Sequence, residues 1–535
     1  MQGLMQDVPL SLPIIMDGIE TRFAHKQVKT HSITGESTTI TYGEVADRIR
    51  RLAGVLDTLE VPNQARVATF AWNTHRHLEL YMAVPCSNRI LHTVNHRLFA
   101  EDIEYIVGDA EDDTIFIDRS ILGALLPILD KIPTVRHIVV MDDGVGPETP
   151  EGDDRFHDYE TLLADASPVM DFDVPDERQA SAMCYTSGTT GRPKGVLYDH
   201  RSMFLHAMAI QFADTLAISE ADRVLGIVPM FHVNSWGVPY AAMMCGADLV
   251  LPGNAMTPDL LAKALVEDEC SIGLAVPTLW RGIFPHVQGK SLPKLRRLVS
   301  GGAPIPVELS RDYQREIGVP LSNAWGMTET SPLVSTGHIP SDRQDASDDE
   351  KVEMLALAGI TIPIVRVRIV DEFGEIVAQD GESTGELQCR GATIASGYYG
   401  VENSGSFTED GWLKTGDVAT IDSHGNITIV DRTKDLIKTG GEWISSAELE
   451  NWIAAAPDVA EAAVIGRPDP KWDERPVGIV VPAEGHNPTP DTIREYLKDK
   501  VAKFWIPEDY VFVDELPKTA TGKINKVTLR KAHVK

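Results

Sequence analysis

Tyr185-Thr-Ser-Gly-Thr-Thr-Gly-Arg-Pro-Lys-Gly-Val196, entered from the apolar run Ala182-Met-Cys184, sets the reading of this chain. An apolar strand end that opens into a glycine-rich loop is how open α/β sheets hold ligands, outside the carboxyl ends of their strands. Gly188, Gly191 and Gly195 permit the positive φ values that let successive backbone N–H groups converge on one anion. Thr186, Ser187, Thr189 and Thr190 add hydroxyl donors, and Lys194 adds a mobile positive charge. This is phosphate-binding chemistry. Pro193 stands where the pattern Gly-x-x-x-x-Gly-Lys-Ser/Thr has its second glycine, which disfavours an ordinary ATPase or kinase loop.

Outward from this loop, helices and strands alternate. Thr41-Tyr-Gly-Glu44 is a capping box that opens a helix with Val45, Ile49, Leu52 and Leu56 on its apolar face, and Arg66–Phe70 reads as the next strand. Leu295–Val299 reads as a buried strand, Ser300-Gly-Gly-Ala-Pro304 as a tight loop, and Pro306–Ile317 as a helix with Leu309, Tyr313 and Ile317 stacked at four-residue spacing. Such alternation predicts an α/β sheet sandwich. The stretch from Val224 to Ala247 lacks Lys, Arg, Asp and Glu, but Pro229, His232, Asn234, Pro239 and several glycines interrupt it. It reads as a buried strand and loop, with no membrane span.

The character changes after residue 340. Ser341–Glu353 reads as an acidic, flexible connection, Ile364–Val370 alternates with period two before a turn at Asp371-Glu-Phe-Gly374, and a second hairpin turns at Gly425-Asn426 before Ile427–Val430. These predict an antiparallel β subdomain closing a large N-terminal domain at residues 1–432. Residues 433–535 are long enough for a small α+β domain, with a helix over Pro490–Val501 that puts Ile493, Leu497 and Val501 on one face.

At 535 residues the chain exceeds one ordinary core. Its net charge of −30 argues against nucleic-acid and anionic-membrane surfaces, so a site for a polyanion needs locally concentrated cations. The tail from Lys518 to Lys535 supplies Lys518, Lys523, Lys526, Arg530, Lys531 and Lys535 with no acid. Cys86, Cys184, Cys245, Cys270 and Cys389 lie far apart without a Cys-x-x-Cys, which suits core positions in a reducing, cytoplasmic setting. Met1–Pro13 lacks the pattern of a secretory signal.

Together the motifs resemble the acyl-adenylate-forming superfamily of acyl-CoA synthetases, peptide-synthetase adenylation domains and insect luciferases. The resemblance rests on Tyr185–Val196 with Pro229-Met-Phe-His232, Ser300-Gly-Gly-Ala-Pro304, Asn323-Ala-Trp-Gly-Met-Thr-Glu329, Lys414-Thr-Gly-Asp417, Asp431-Arg-Thr-Lys-Asp435, Lys438-Thr-Gly-Gly-Glu-Trp-Ile-Ser445 and Pro517-Lys-Thr-Ala-Thr-Gly-Lys523, all in the family's order. It implies a carboxylic acid that attacks the α-phosphate of ATP to give acyl-AMP and pyrophosphate, and a thiol, that of coenzyme A, that then displaces AMP.

By that resemblance Lys523 bridges carboxylate and α-phosphate, and Thr186, Ser187, Gly188, Thr189, Thr190, Lys194 and Thr328 hold phosphates. Glu329 holds Mg²⁺, a hard cation suited to oxygen ligands. Trp325, where the family usually has tyrosine, lies against adenine, with Gly302, Ala303, Pro304, Asn323, Ala324, Gly326 and Met327 shaping that pocket. Asp417 accepts from ribose and Arg432 braces it. Lys434 is the hinge of a mobile small domain, and Lys438, Gly440, Gly441, Glu442 and Trp443 line the coenzyme A path. His232 gates the acyl pocket, which Gly302 and Gly326 help to form and which Trp236 would shorten. Read without the resemblance, Glu329 also fits a helix-start carboxylate, Asp417 and Arg432 an ordinary ion pair, and His232 with Trp236 a plain core pair.

The wording Gly-Glu-Trp-Ile-Ser and Phe-His-Val-Asn-Ser-Trp is most similar to medium-chain acyl-CoA ligases and, within them, to 3-methylmercaptopropionate-CoA ligases. A compact or medium-length acid is expected, with adenylation for a carrier-protein thiol, an ADP-forming phosphotransferase and a non-catalytic nucleotide binder as alternatives. A homodimer is compatible with the family. Two departures stand out: Pro85-Cys-Ser-Asn-Arg89, where small residues and glycine are usual, and Val94-Asn-His96, where Asn-Pro is usual.

Overall fold

The computed structural model describes the chain apart from residues 2, 187–191, 440–441, 519–523 and 535. The expectations for Ser187, Gly188, Thr189, Thr190, Gly440, Gly441 and Lys523 lie outside the described residues. The rest forms a mixed α/β protein with two compact units, one holding Met1–Thr186, Pro193–Arg366 and Arg390–Phe407, the other Val367–Cys389 and the residues from Thr408 onward.

The first unit contains two large sheets. In the seven-stranded sheet, Phe156–Asp158, His137–Met141, Thr114–Asp118, Arg66–Phe70, Ile90–Thr93 and Ala180–Tyr185 run parallel, and Gly195–Asp199 closes the edge antiparallel. The nine-stranded sheet has a parallel centre of Leu321–Gly326, Arg297–Gly301, Ile272–Ala275, Arg223–Gly226, Asp248–Leu251 and Gln27–His31, flanked by antiparallel edge strands. The central strands are buried on both faces by helices, which explains their continuous apolar runs. Trp280 shows how tightly: its indole donates to Val299 O at 2.9 Å, and a Cβ on Gly273 would meet its ring at 2.9 Å.

The capping box forms as read. Thr41 Oγ1 accepts from Glu44 N at 3.2 Å while Glu44 Oε2 accepts from Thr41 N at 2.7 Å, and the helix runs Tyr42–Thr58. Three expectations need correction. The strand read at Leu295–Val299 is Arg297–Gly301, so it includes the first glycine of the loop. The stretch Ser341–Glu353 is a 3₁₀ turn at Ser341–Arg343 and a helix at Asp348–Ala356, capped by Ser347 and Glu350 as a second capping box. After the strand Arg223–Gly226, the uncharged stretch carries a helix, Val238–Cys245, whose Pro239 sits in the first turn, where no N–H is needed.

The first departure has a physical account. Pro85 lies in the last turn of the helix His75–Cys86 and cannot donate to Tyr81 O; the hydroxyl of Tyr240 donates to that carbonyl instead, at 3.3 Å. Asn88 takes the left-handed backbone, φ 59°, that glycine would otherwise supply. Arg89 is buried but paired, donating to Val61 O at 3.0 and 2.7 Å, Ser87 O at 3.1 Å and Asp57 Oδ1 at 2.9 Å. In the second departure His96 fills an aromatic slot, its ring 4.5 Å from Trp72 and 4.8 Å from Phe231, where burial pushes its pKa down to about 3.

The expected antiparallel sheet, Val365–Val370, Gly385–Gly391, Leu413–Ile421 and Ile427–Arg432 in that order, falls for the most part in the second unit. A five-stranded sheet built round the long hairpin Val459–Asp469 and Asp473–Pro482 follows, packed by helices Ser446–Ala454 and Pro490–Leu497. The helix read over Pro490–Val501 ends at Leu497, short of Val501, which still packs on the same core with Ile493. All five cysteines are unpaired, four buried and Cys245 half-buried. Among the described residues no helix is long and apolar enough to cross a membrane.

Candidate active site

The sequence motifs of the first unit fall at carboxyl ends of parallel strands, where sheet carbonyls stop and loops can present donors. Thr186 follows Ala180–Tyr185, Gly302 follows Arg297–Gly301, Met327–Glu329 follows Leu321–Gly326, and His232 lies on the connection after Arg223–Gly226.

The two described ends of the glycine loop are locked to each other. Thr186 N donates to Lys194 O at 3.0 Å and Lys194 N donates to Thr186 Oγ1 at 3.1 Å, beside the strand pair Tyr185↔Gly195. Lys194 is half-buried, and its Nζ lies 4.8 Å from the centroid of the Tyr398 ring. Thr328 and Glu329 form a short 3₁₀ turn and are both buried, with Glu329 only 6 % exposed. Thr328 O accepts from the hydroxyl of Tyr198 at 2.7 Å, and Glu329 Oε1 accepts from the hydroxyl of Tyr398 at 2.6 Å. Sequence reading missed both tyrosines.

The described residues contain no group of three or more His, Cys, Asp or Glu side chains arranged to hold a metal. One carboxylate, without a basic partner among the described residues, fits a divalent cation that keeps most of its oxygen ligands from phosphate and water. Glu329 is the residue that would hold it.

Gly302, at φ 79°, Ala303 and Pro304 are exposed. Trp325 is half-buried, and Asn323 gives its amide to Ala356 O at 3.2 Å. Gly326 has no alternative: a Cβ there would stand 1.9 Å from Pro332 O.

The segment that bears His232 is held by side chains because its backbone is irregular. Asn73 is buried; its Nδ2 donates to Gly226 O at 2.7 Å and Val228 O at 2.8 Å, and its Oδ1 accepts from Met230 N at 2.8 Å. The Tyr81 hydroxyl donates to Met230 O, and Ser235 Oγ to Val228 O at 2.7 Å. His232 follows, half-buried, and then Val233, Asn234, Ser235, Trp236 and Gly237 all take left-handed φ, between 44° and 73°. Such a run is costly for L residues, above all for β-branched Val233. Glycine at 237 is required by the imidazole of His206, which would lie 2.5 Å from a Cβ there.

In the second unit, Asp417 and Arg432 face each other across the antiparallel pair Leu413–Ile421 and Ile427–Arg432, joined at 2.6 Å, with Asp417 buried. Asp431 points the other way, accepting from Ser446 N at 2.5 Å and Ser446 Oγ at 2.6 Å at the start of the helix Ser446–Ala454. Lys434 is followed by Asp435, whose carboxylate accepts from Arg530 at 2.6 Å; Arg530 also donates to Lys434 O at 3.3 Å. Burial, with Arg432, Arg530 and Lys526 close by, lowers the Lys434 pKa. Lys438 pairs across a hairpin with exposed Trp443 and lies over its ring at 5.7 Å, with Glu442 also exposed.

Comparison with known proteins identifies the family. A family model described as AMP-binding enzyme matches residues 20–399, and one described as AMP-binding enzyme C-terminal domain matches residues 448–523. The chain is 43% identical to a long-chain-fatty-acid–CoA ligase of Thermus thermophilus, covering 99% of this chain and 96% of that one. It is 41% identical to a 3-methylmercaptopropionyl-CoA ligase of Ruegeria lacuscaerulensis, covering 99% and 98%. It is 40% identical to a medium-chain-fatty-acid–CoA ligase of Ectopseudomonas oleovorans, covering 100% and 98%. The fold matches the crystal structure of ATP-bound MatB from Rhodopseudomonas palustris with a TM-score of 0.84 at 24% identity, covering 98% and 99% of the two chains. The chain belongs to the AMP-binding enzyme family, in its acyl-CoA synthetase branch.

Proposed function

We propose that this AMP-forming acid–CoA ligase activates a compact to medium-length carboxylic acid, with 3-methylmercaptopropionate the best single candidate. The observation that carries the size limit is the position of Trp236, buried to 8 % exposure with its ring against Gly301, on the segment that bears His232. The name of the Ruegeria relative supports the particular acid, and that of the Ectopseudomonas relative supports the second reading, a medium-chain fatty acid.

In this reading the glycine loop from Thr186 to Lys194 and the hydroxyl of Thr328 hold the phosphates, and Trp325 with Gly302, Ala303 and Pro304 takes the adenine. Asp417 accepts from the ribose hydroxyls, with Arg432 as its brace. Magnesium at Glu329 would neutralise phosphate charge as two anions are brought together. Lys523 then places carboxylate and α-phosphate in line, the positioning and charge stabilisation on which such an attack depends. Rotation about Lys434 of a mobile domain, residues 433–535, withdraws Lys523 and brings Lys438, Glu442 and Trp443 to the coenzyme A thiol.

The test is release of AMP and pyrophosphate from Mg-ATP across acids from acetate through 3-methylmercaptopropionate to dodecanoate, with and without coenzyme A. Wild type should form AMP in a coenzyme A-dependent manner, most with compact acids, and Lys523→Ala should lose about 10²–10³-fold in the adenylating half-reaction. ADP as product would point to a phosphotransferase, and acyl-AMP that coenzyme A cannot discharge would point to a carrier-protein thiol.

A further inference from the structure

Lys194 and Glu329 carry opposite charges, and both serve the same nucleotide in the proposed reading. Opposite charges left facing one ligand site collapse onto each other when the ligand is absent, and binding must then first break the pair. No ion pair joins them among the described residues. Tyr398 stands between: its hydroxyl donates to Glu329 Oε1 at 2.6 Å, and its ring faces Lys194 Nζ at 4.8 Å.

A phenol is one of few neutral groups able to satisfy both signs at once, the anion through O–H and the cation through the negative face of its ring. The backbone fixes it in this place. Ala395 N donates to Glu329 O at 2.8 Å, and Tyr399 N donates to Gly195 O at 2.8 Å, next to Lys194. The segment carrying Tyr398 is therefore tied at one end to the turn of Glu329 and at the other to the strand that follows Lys194. Phe407 packs against the Tyr398 ring, centroids 5.9 Å apart.

We propose that Tyr398 is a positioning residue that keeps Lys194 and Glu329 apart in the nucleotide-free enzyme, releasing Glu329 Oε1 when the metal–nucleotide complex arrives. The inference rests on the assignment of Lys194 and Glu329 to the nucleotide site. It differs from a packing role because it makes the effect of Tyr398 depend on the charge of Glu329.

The experiment is calorimetric binding of Mg-ATP without acid, so without turnover, to wild type, Tyr398→Phe, Tyr398→Leu, Glu329→Gln and the Tyr398→Leu/Glu329→Gln double variant, with a thermal melt of each. Tyr398→Leu, which loses both the hydroxyl and the ring, should weaken binding about tenfold or more as Lys194 falls onto Glu329. Tyr398→Phe keeps the ring over Lys194 and should stay within about threefold of wild type. With Glu329 neutral the lysine has nothing to fall onto, so the double variant should bind as well as Glu329→Gln alone. Failure of wild type to bind Mg-ATP would sink the nucleotide-site assignment itself. Wild-type binding with an unweakened Tyr398→Leu, or with a loss that persists undiminished in the Glu329→Gln background, would overturn only the role given to Tyr398. If Tyr398→Leu does not fold, Tyr398→Phe decides: a loss as large as tenfold there would exclude the ring as the separator.

Discussion

The indole of Trp236 lies against Gly301 so closely that a Cβ at 301 would stand 2.9 Å from Cη2 and 3.3 Å from Cζ2. The strand end Arg297–Gly301 and the left-handed turn Val233–Gly237 therefore meet through one aromatic ring, at the place where the acid is proposed to bind. Trp236→Ala removes that ring and leaves room for a longer chain. The expected outcome is a shift of the kcat/KM optimum toward longer acids, with each accommodated methylene worth about 1–3 kcal/mol. A panel of straight-chain acids measures it; an unchanged profile would return Trp236 to the core.

Asn73 offers a sharper test of how the proposed gate is held, since its three side-chain hydrogen bonds all go to the backbone between Gly226 and Met230. Asn73→Ala removes the amide donor from Gly226 O and Val228 O, leaving Val228 O with Ser235 alone, takes the acceptor from Met230 N, and frees the segment that bears His232. The KM for the acid should rise about tenfold while the KM for ATP stays within about twofold, because a 1 Å displacement at a reactant is expensive. Equal losses in both constants would mean a general weakening of the unit.

How much of this could be read from the chain divides by range. The glycine loops, the capping box at Thr41 and the alternating strands are local patterns, and they appear where periodicity and turn chemistry put them. The helix Asp348–Ala356 was legible too, since Ser347-Asp-Asp-Glu350 is itself a capping-box signature, but its acidic run reads as solvated loop. Tyr398 was not legible: its partner Glu329 lies 69 residues earlier, and no local pattern marks a tyrosine that will serve two charges. Asn73 is separated from Met230 by 157 residues, and its neighbours Trp72 and Thr74 announce only a helix start.

Arg89, the bulkiest oddity of the first departure, is expected to be a stability residue. Its guanidinium closes carbonyls at Val61 and Ser87 and pairs with Asp57 near the end of the helix Tyr42–Thr58. Arg89→Met strands those acceptors and should cost about 2–4 kcal/mol in urea unfolding. The KM values for acid, ATP and coenzyme A should not move.

Acid should unfold the first unit through its histidines. Burial pushes His75, His96 and His206 down to about 3 and His77 and His200 down to about 4. Between those values and the ordinary value near 6.5, the unfolded chain takes up protons that the native state refuses, so stability falls as pH falls. Each such group contributes up to about 1.4 kcal/mol per pH unit in that window. Asp118 acts the other way, since burial pushes it up to about 8 and the native state holds its proton more tightly from about pH 4 upward. Burial raises Glu79 and Asp112 in the same sense as Asp118, but the lowered histidines outnumber these carboxyls, so stability should climb from pH 4 to about 6.5 and then ease toward pH 8. Urea midpoints across that range measure it, and a flat profile below pH 6.5 would contradict it.

Arg530 joins the proposed hinge to the tail that carries Lys523. It lies on the helix Lys526–His533, which Lys526 anchors to Glu450 and Ser446 at 2.7 Å, and it reaches Asp435 and the carbonyl of Lys434. If rotation about Lys434 places Lys523, the tie keeps hinge and tail in register. Arg530→Met should therefore lower acyl-AMP formation about 10- to 100-fold while supplied acyl-AMP is still discharged to coenzyme A at close to the wild-type rate. Lys434→Pro, which fixes a backbone torsion the rotation needs, should invert the pattern and slow discharge more than adenylation. The two half-reactions, measured separately by pyrophosphate release and by thioester formation from synthetic acyl-AMP, distinguish these outcomes. Equal losses in both half-reactions for both variants would mean that the tie merely holds the second unit together.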